Sequence, residues 1–285
     1  MRGSVAIRLP AVEQTLNGVS SSAMKRFFLV ILLLVCSLCF AKTNKTRGIL
    51  LEDLTWQQAE RVLTPDCVVV IALGAESKEH GPHLRLNNDW LMAEYFKRRV
   101  LESANVVIAP TINYSFYPAF VEYPGSTTLR LDTARDMIID IVKSLAHYGP
   151  HRFYILNTGI STNRPLAQAQ EALAKDGIVM HYTDLKKYDD IEKPVRTSGG
   201  THADEIETSM MLYIAPTSVD MKKAVADLHE SKPGPLTRDP NNPGTYSPTG
   251  VWGDPTKATR AKGKIVVEAM TAAILKEIEE LRKFE

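Results

Sequence analysis

The sequence predicts an α/β fold: a three-layer α/β/α domain around a mostly parallel central sheet. Three observations carry this. Strand-like and helix-like segments alternate along the chain, the strand-like runs are short and β-branched, and the helix-like segments carry caps and breakers. In order, Thr55-Trp56-Gln57-Gln58 reads as a capping box that opens a helix to about Leu63. The unbroken apolar run 67–73 reads as a strand buried on both faces. A helix over 89–101 places Leu91, Met92, Tyr95 and Phe96 inward, and 106–109 is the next strand. Asp132-Thr133 caps an amphipathic helix with Met137, Ile138, Ile141, Val142 and Leu145 on one face, stopped by Gly149-Pro150. Strand 152–156, helix 165–175, strand 178–182 and a helix from about Asp204 to Ile214 follow. After a Pro/Gly/Asn-rich loop over 231–255, Asp254-Pro255 is read as the start of a last helix reaching Lys283. Sites in such sheets lie outside the carboxyl ends of the strands, so chemistry is expected in the loops after 67–73, 106–109 and 152–156.

The chain has 285 residues, a formal net charge of +1, 24% charged and 44% hydrophobic residues, enough apolar material for a sizeable core. Near-neutral charge without a basic stripe argues against a nucleic-acid partner. Met24-Lys25-Arg26, then an apolar run from Phe27 to Ala41, then Lys42-Thr43-Asn44-Lys45, has the pattern of a secretory signal peptide. The run is short for a membrane span, so no stable span is expected after cleavage. Residues 1–41 are therefore an N-terminal extension and signal, with translation expected from Met24, and 42–285 form a single α/β domain that is exported, periplasmic or secreted. Cys36 and Cys39 leave with the signal, and Cys67 remains as a buried strand residue without a disulfide partner.

Two segments concentrate chemistry. Between Glu76 and Asp89 lie His80, His83, Lys78 and Glu79, in a Gly/Pro loop directly after the first buried strand. Imidazole and carboxylate are the ligand types of Zn²⁺, Mn²⁺ and Fe²⁺, although a solvated polar loop has the same composition. The second segment runs from Gly199 to Ser209 and delivers His202, Asp204, Glu205 and Glu207 into a helix start. Asp204 and Glu205 suit the helix dipole; Glu207, deeper and beside Met210-Met211-Leu212, suits it less.

With those segments and their order in view, the chain resembles the creatininase family of amidohydrolases. Glu79-His80-Gly81-Pro82-His83-Leu84 with Asp89 resembles its signature. Tyr123-Pro124-Gly125-Ser126-Thr127, Asn157 to Asn163, His202 to Ser209, and Gly250-Val251-Trp252-Gly253-Asp254-Pro255 resemble its further motifs in family order, over about residues 50–283. The resemblance implies an α/β fold with a parallel sheet, a homo-oligomer that is commonly a hexamer, and small amides, cyclic amides or peptides as substrates. It also implies His80 and Asp89 as metal ligands, Glu207 as an acidic ligand or catalytic carboxylate, and His202 as the catalytic histidine.

Two departures from the family pattern matter. The acid expected two residues before the first histidine is Lys78, leaving Glu79, or else Glu76, to slide in as ligand. The loop 157–163 lacks the family's histidine, with Ser161 or Thr162 as weak replacements. The expectation is therefore one divalent ion per chain, Zn before Mn or Fe, held by His80, Asp89, Glu207 and Glu79. Lys78 is either a cation for a substrate carboxylate or a solvent-facing lysine. Tyr123 and the aromatics around it, with Trp252, line either a substrate pocket or a packing contact. His83 is read as a loop support. The function expected is metal-dependent cleavage of a C–N bond in a small amide or lactam. Its rival is a non-catalytic exported binding or scaffold protein on a degenerate fold, and a third reading keeps the metal with a sugar-derived or C–C substrate.

Overall fold

The computed structural model describes residues 46–284, so the signal-peptide reading lies outside the described residues. The chain forms β1 (Ile49–Leu50), α1 (Trp56–Val62), β2 (Val68–Leu73), α2 (Asn88–Ser103), β3 (Val107–Ile112), α3 (Leu131–Ala146), β4 (Arg152–Asn157), α4 (Asn163–Ala174) and β5 (Val179–Tyr182). There follow α5 (Asp189–Glu192), β6 (Gly200–His202), α6 (Glu205–Ile214), β7 (Leu236–Thr237), β8 (Thr245–Tyr246), β9 (Trp252–Gly253) and α7 (Arg260–Arg282).

The sheet order is β1-β3-β2-β4-β5 with every pairing parallel. Alternation along the central strands splits the apolar residues into two cores. Val68, Val70, Ile108, Tyr154 and Leu156 pack with Phe96 of α2, Ile206 and Met210 of α6, and Val267 and Met270 of α7. Val69, Ile71, Val107, Phe153 and Ile155 pack on the other side with Ile138 and Val142 of α3 and Leu166, Ala169 and Leu173 of α4. This is the three-layer arrangement that continuous β-branched strands require, because both faces must be covered. The chain steps from β2 to β3 on one side, then crosses to β4 on the other, so a crevice opens at the carboxyl ends around β2.

The capping box at Thr55 and Gln58 is present. The last helix differs from expectation: Asp254 caps only a 3₁₀ turn over Pro255–Lys257, and α7 starts at Arg260 with Thr259 as N-cap. The Thr259 hydroxyl accepts from the Lys262 N–H, which satisfies the helix start that Asp254 was expected to serve. The β6–β9 ladder brings the Gly199–Gly200 turn against Gly253; it is too short to read as strand from periodicity. Among the described residues, no helix is long and apolar enough to cross a membrane.

Candidate functional site

The loop after β2 is held before any side chain acts. Gly74 packs against the Asp89 carbonyl and Ala93, where a Cβ would collide, so α2 starts hard against the strand end. Asn88 and Asp89 then fall in the first turn of α2, where the helix dipole favours a carboxylate. The Tyr123–Thr127 segment straps the same loop: the Ser77 hydroxyl donates to the Gly125 carbonyl at 2.5 Å, and the Glu79 N–H donates to Ser126 Oγ at 2.9 Å.

His80 Nδ1 lies 2.9 Å from the Lys78 carbonyl and donates its proton there, which turns Nε2 towards the carboxylates. Nε2 sits 2.7 Å from Asp89 Oδ1 and 3.3 Å from Glu207 Oε1, with the ring fully buried. Burial works against the imidazolium, yet Asp89 and then Glu207 overcome it and the Lys78 charge, pushing the pKa up to about 9. Burial likewise opposes the Asp89 carboxylate, and Lys78 and His80 hold its pKa below the usual range. Lys78 is not at the surface: its Nζ lies 2.6 Å from Asp89 Oδ2, and the residue is 6% exposed. The ammonium stands over the Phe120 ring at 4.8 Å and the Tyr117 ring at 5.7 Å, within cation–π range. The buried Tyr117 hydroxyl has no hydrogen-bond partner among the described residues, and burial together with the Asp89 charge raises its pKa well above the usual range.

The second arm comes from β6 and α6. Ala203 has φ 47°, the positive-φ non-glycine conformation among the described residues. That kink separates His202 from the Asp204 N-cap, whose carboxylate accepts from the Ile206 and Glu207 N–H groups. The Ala203 N–H donates to Glu207 Oε2 at 2.7 Å, and Asn88 Nδ2 donates to Oε1 at 2.9 Å, fixing both oxygens. Burial opposes the Glu207 charge, but His80 above all keeps its pKa far below the usual range. His202 Nε2 pairs with Glu79 Oε2 at 3.0 Å. The other Glu79 oxygen accepts from the Gly81 N–H and lies where a Cβ on Gly250 would be, so Gly250 (φ 82°) is a cradle for that carboxylate. Phe120 covers the His202 ring at 4.4 Å.

The remaining residues from the sequence reading are placed as follows. His83 Nε2 lies 2.8 Å from Thr208 Oγ1, a loop support, and burial lowers its pKa to about 4. Tyr123 donates to the Ser247 carbonyl at 2.7 Å and packs with Ala75, Tyr117 and Phe120, with Trp252 against the same cluster. Ser161 sits in the turn before α4, and none of the hydrogen bonds found joins it to the site. The loop 157–163 closes on itself: Asn157 Nδ2 donates to the Gly159 carbonyl at 2.8 Å, and Thr162 Oγ1 donates to Asn157 Oδ1 at 2.5 Å.

His80, His202 and Glu207 each offer a ligand atom, all within 4.8 Å of one another, with Asp89 against His80. One imidazole nitrogen facing two carboxylates is a donor set that suits a divalent ion, which would take the place of the proton on His80 Nε2. The residues present therefore fit a metal. Residues 52–278 match the family profile described as creatininase, creatinine amidohydrolase. The chain belongs to the creatininase family.

Creatininase-family relatives agree in class and diverge in substrate. The creatinine amidohydrolase of Pseudomonas putida is 24% identical over 256 residues, covering 82% of this chain and 98% of that protein. The mycofactocin precursor peptide peptidase of Mycobacterium tuberculosis is 25% identical over 214 residues, 71% of this chain and 80% of that protein. A solved variant creatininase complexed with creatine superposes with a TM-score of 0.70 at 23% identity, covering 83% of this chain and all of that one. These relatives are hydrolases, and so is the family to which this chain belongs.

The residue missed in the sequence is Asn88; Tyr117 and Phe120 are legible there only as pocket or packing aromatics, and Glu205 only as an acid serving the helix dipole. Asn88 and Phe120 act on Glu207 and His202 only through the fold. Glu205 is buried and gathers the N–H groups and hydroxyls of Thr197 and Ser198 and the Lys262 ammonium. Its place in a first helical turn hid this, since acids there commonly serve the dipole alone.

Proposed function

We propose that this creatininase-family hydrolase is metal-dependent and cleaves a C–N bond of a small amide or cyclic amide. The observation that carries the reading is the convergence of buried His80 and His202 and half-buried Glu207 in one cluster beside Asp89. His80, Asp89 and Glu207 would hold a divalent ion, Zn²⁺ first and Mn²⁺ or Fe²⁺ next. Solved relatives named as creatininase of Zn-Zn type and creatininase Mn support that choice of ion. Such an ion polarises a carbonyl and lowers the pKa of water towards about 7.

The chain's own residues supply the proton chemistry. His202 carries a proton to the departing nitrogen, a role that contributes about 10²–10⁴-fold. Glu79, 3.0 Å from His202 Nε2, orients the ring, as a carboxylate does behind a catalytic histidine. Asn88 and the Ala203 N–H keep Glu207 facing His80. Phe120 shields the His202 ring from water, which strengthens the Glu79 pairing.

We also propose export through the signal over 24–41 and assembly as a homo-oligomer, most simply a hexamer. The sequence pattern supports the first and the family resemblance the second. Cell fractionation with N-terminal sequencing, and light scattering, test them. The catalytic reading is tested by elemental analysis and a panel of amides, lactams and short peptides, with and without a chelator. Chelator-sensitive hydrolysis supports it. A chain that stays metal-free and inactive after refolding in excess Zn²⁺ and Mn²⁺ puts the non-catalytic binding protein first.

A further inference from the structure

We propose that the Lys78 ammonium is the resident second cation of this site, limiting it to one divalent ion and holding the flank of Asp89 where another ion would otherwise bind. The inference rests on the metal-dependent reading above. Its first support is geometric. The Asp89 carboxylate is shared between two positive neighbours: Oδ1 faces His80 Nε2 at 2.7 Å, and Oδ2 faces Lys78 Nζ at 2.6 Å. The Lys78 and Asp89 side chains are only 7% and 1% exposed, so the ammonium is a fixture and not a surface charge that happens to reach in. The Phe120 and Tyr117 rings cover it, a surrounding that favours an organic cation over a hydrated metal ion.

Charge counting points the same way. With a metal-ligating His80 and a resting His202 both neutral, Glu79, Asp89 and Glu207 bring three negative charges, and Lys78 brings one positive charge. One divalent ion neutralises the two negative charges that remain, whereas two ions would leave a buried positive excess of two, which is costly in a low-dielectric site. Donor supply agrees. On the Lys78 flank the neighbouring loop offers Gly159, which backs onto Tyr117, while Asn157 and Thr162 are spent on each other. The buried Tyr117 hydroxyl, close enough to feel the Asp89 charge, is a neutral oxygen and a weak donor to a metal. A second ion would find Asp89 and little else.

Metal content per chain tests this on the intact protein, loaded with Mn²⁺ or Zn²⁺ alone and freed of excess metal. Wild type is expected to hold one ion, and its Mn²⁺ form is expected to give the electron paramagnetic resonance pattern of an isolated ion. Lys78→Glu replaces the ammonium with a carboxylate and is expected to hold two ions, with a spin-coupled Mn²⁺ signal. If that variant folds only with metal present, it is refolded in excess Mn²⁺ and counted after gel filtration, and the wild-type count still decides. Two coupled ions in wild type overturn the proposal and leave metal dependence standing. A folded Lys78→Glu protein that stays at one ion also overturns it. A wild type that takes up no ion at all sinks the metal-dependent reading and this inference with it.

Discussion

The loops after β2 and β4 leave neighbouring strands side by side, with Leu73 opposite Asn157, yet they do different jobs. The β2 loop buries three charged side chains, Lys78, Glu79 and His80, each with a charged partner. The β4 loop is neutral, with Asn157, Gly159 and Thr162 bonded to one another and Asn157, Thr158 and Asn163 bonded to neighbouring backbone and Asp184. Its links to the site are indirect: Gly159 backs onto Tyr117, and Thr158 Oγ1 donates to the backbone carbonyl of Asp89 at 3.0 Å. The difference teaches that a position at the carboxyl edge of the sheet is an opportunity and not a function. The charged loop needs a rigid neighbour to hold α2 in place, and the β4 loop has become that neighbour.

The comparison breaks first at Asp89. Asp89→Ala should lose bound metal and also leave the Lys78 ammonium buried without a partner. Stripping one partner from a buried pair costs about 3–5 kcal/mol, read as a fall in the denaturation midpoint alongside elemental analysis. Unchanged metal content would mean that Asp89 is not a ligand. On the opposite arm, His202→Ala should lower kcat/KM by about 10²–10⁴-fold on the amide a substrate panel identifies, with metal content retained. Glu79→Gln should cost about 10–100-fold in activity, the range for a group that orients a site residue, because Gln keeps the shape and loses the charge. A Glu79→Gln protein with reduced metal would move Glu79 from orienting His202 to binding the ion. The mildest break falls on the neutral loop. Thr158→Val removes one hydrogen bond to the α2 start and should cost about 1 kcal/mol with little change in metal content.

A pH measurement sharpens the contrast from outside both loops. Burial opposes the Glu205 charge, but Lys262, Thr197 and Ser198 more than compensate, lowering its pKa from the usual 4.5 to about 2. A carboxyl whose folded pKa is depressed contributes stability that is complete above its unfolded value and is lost as pH falls. Denaturant midpoints should therefore drop between about pH 4.5 and pH 2, and Glu205→Gln should flatten that part of the profile.

The layers were legible in the sequence because continuous β-branched runs and capped amphipathic helices each have one good packing solution. The metal-type segments were legible because His80, Asp89, His202 and Glu207 sit in recognisable local patterns. What the segments do to each other was not. In the stretch Lys78-Glu79-His80 successive side chains turn to different partners, so Glu79 reaches His202 while Lys78 and His80 share Asp89. Those pairings span up to 123 residues and depend on the β6 turn at Ala203, which no periodicity announces. Lys78 was open between a substrate cation and a solvent-facing lysine for the same reason: burial is a property of the assembled crevice. Asp254 misled because Asp-Pro is a helix-start pattern that a single 3₁₀ turn satisfies equally well.

Gly250 carries no functional group, yet its α-carbon is the wall against which the Glu79 carboxylate rests. Any side chain there claims the volume of that carboxylate and drives it off His202. In a saturation-mutagenesis library scored for hydrolysis, position 250 should therefore behave like position 79, intolerant of every replacement down to alanine. A residue ranked essential by such a screen would here be recording the outline of its neighbour.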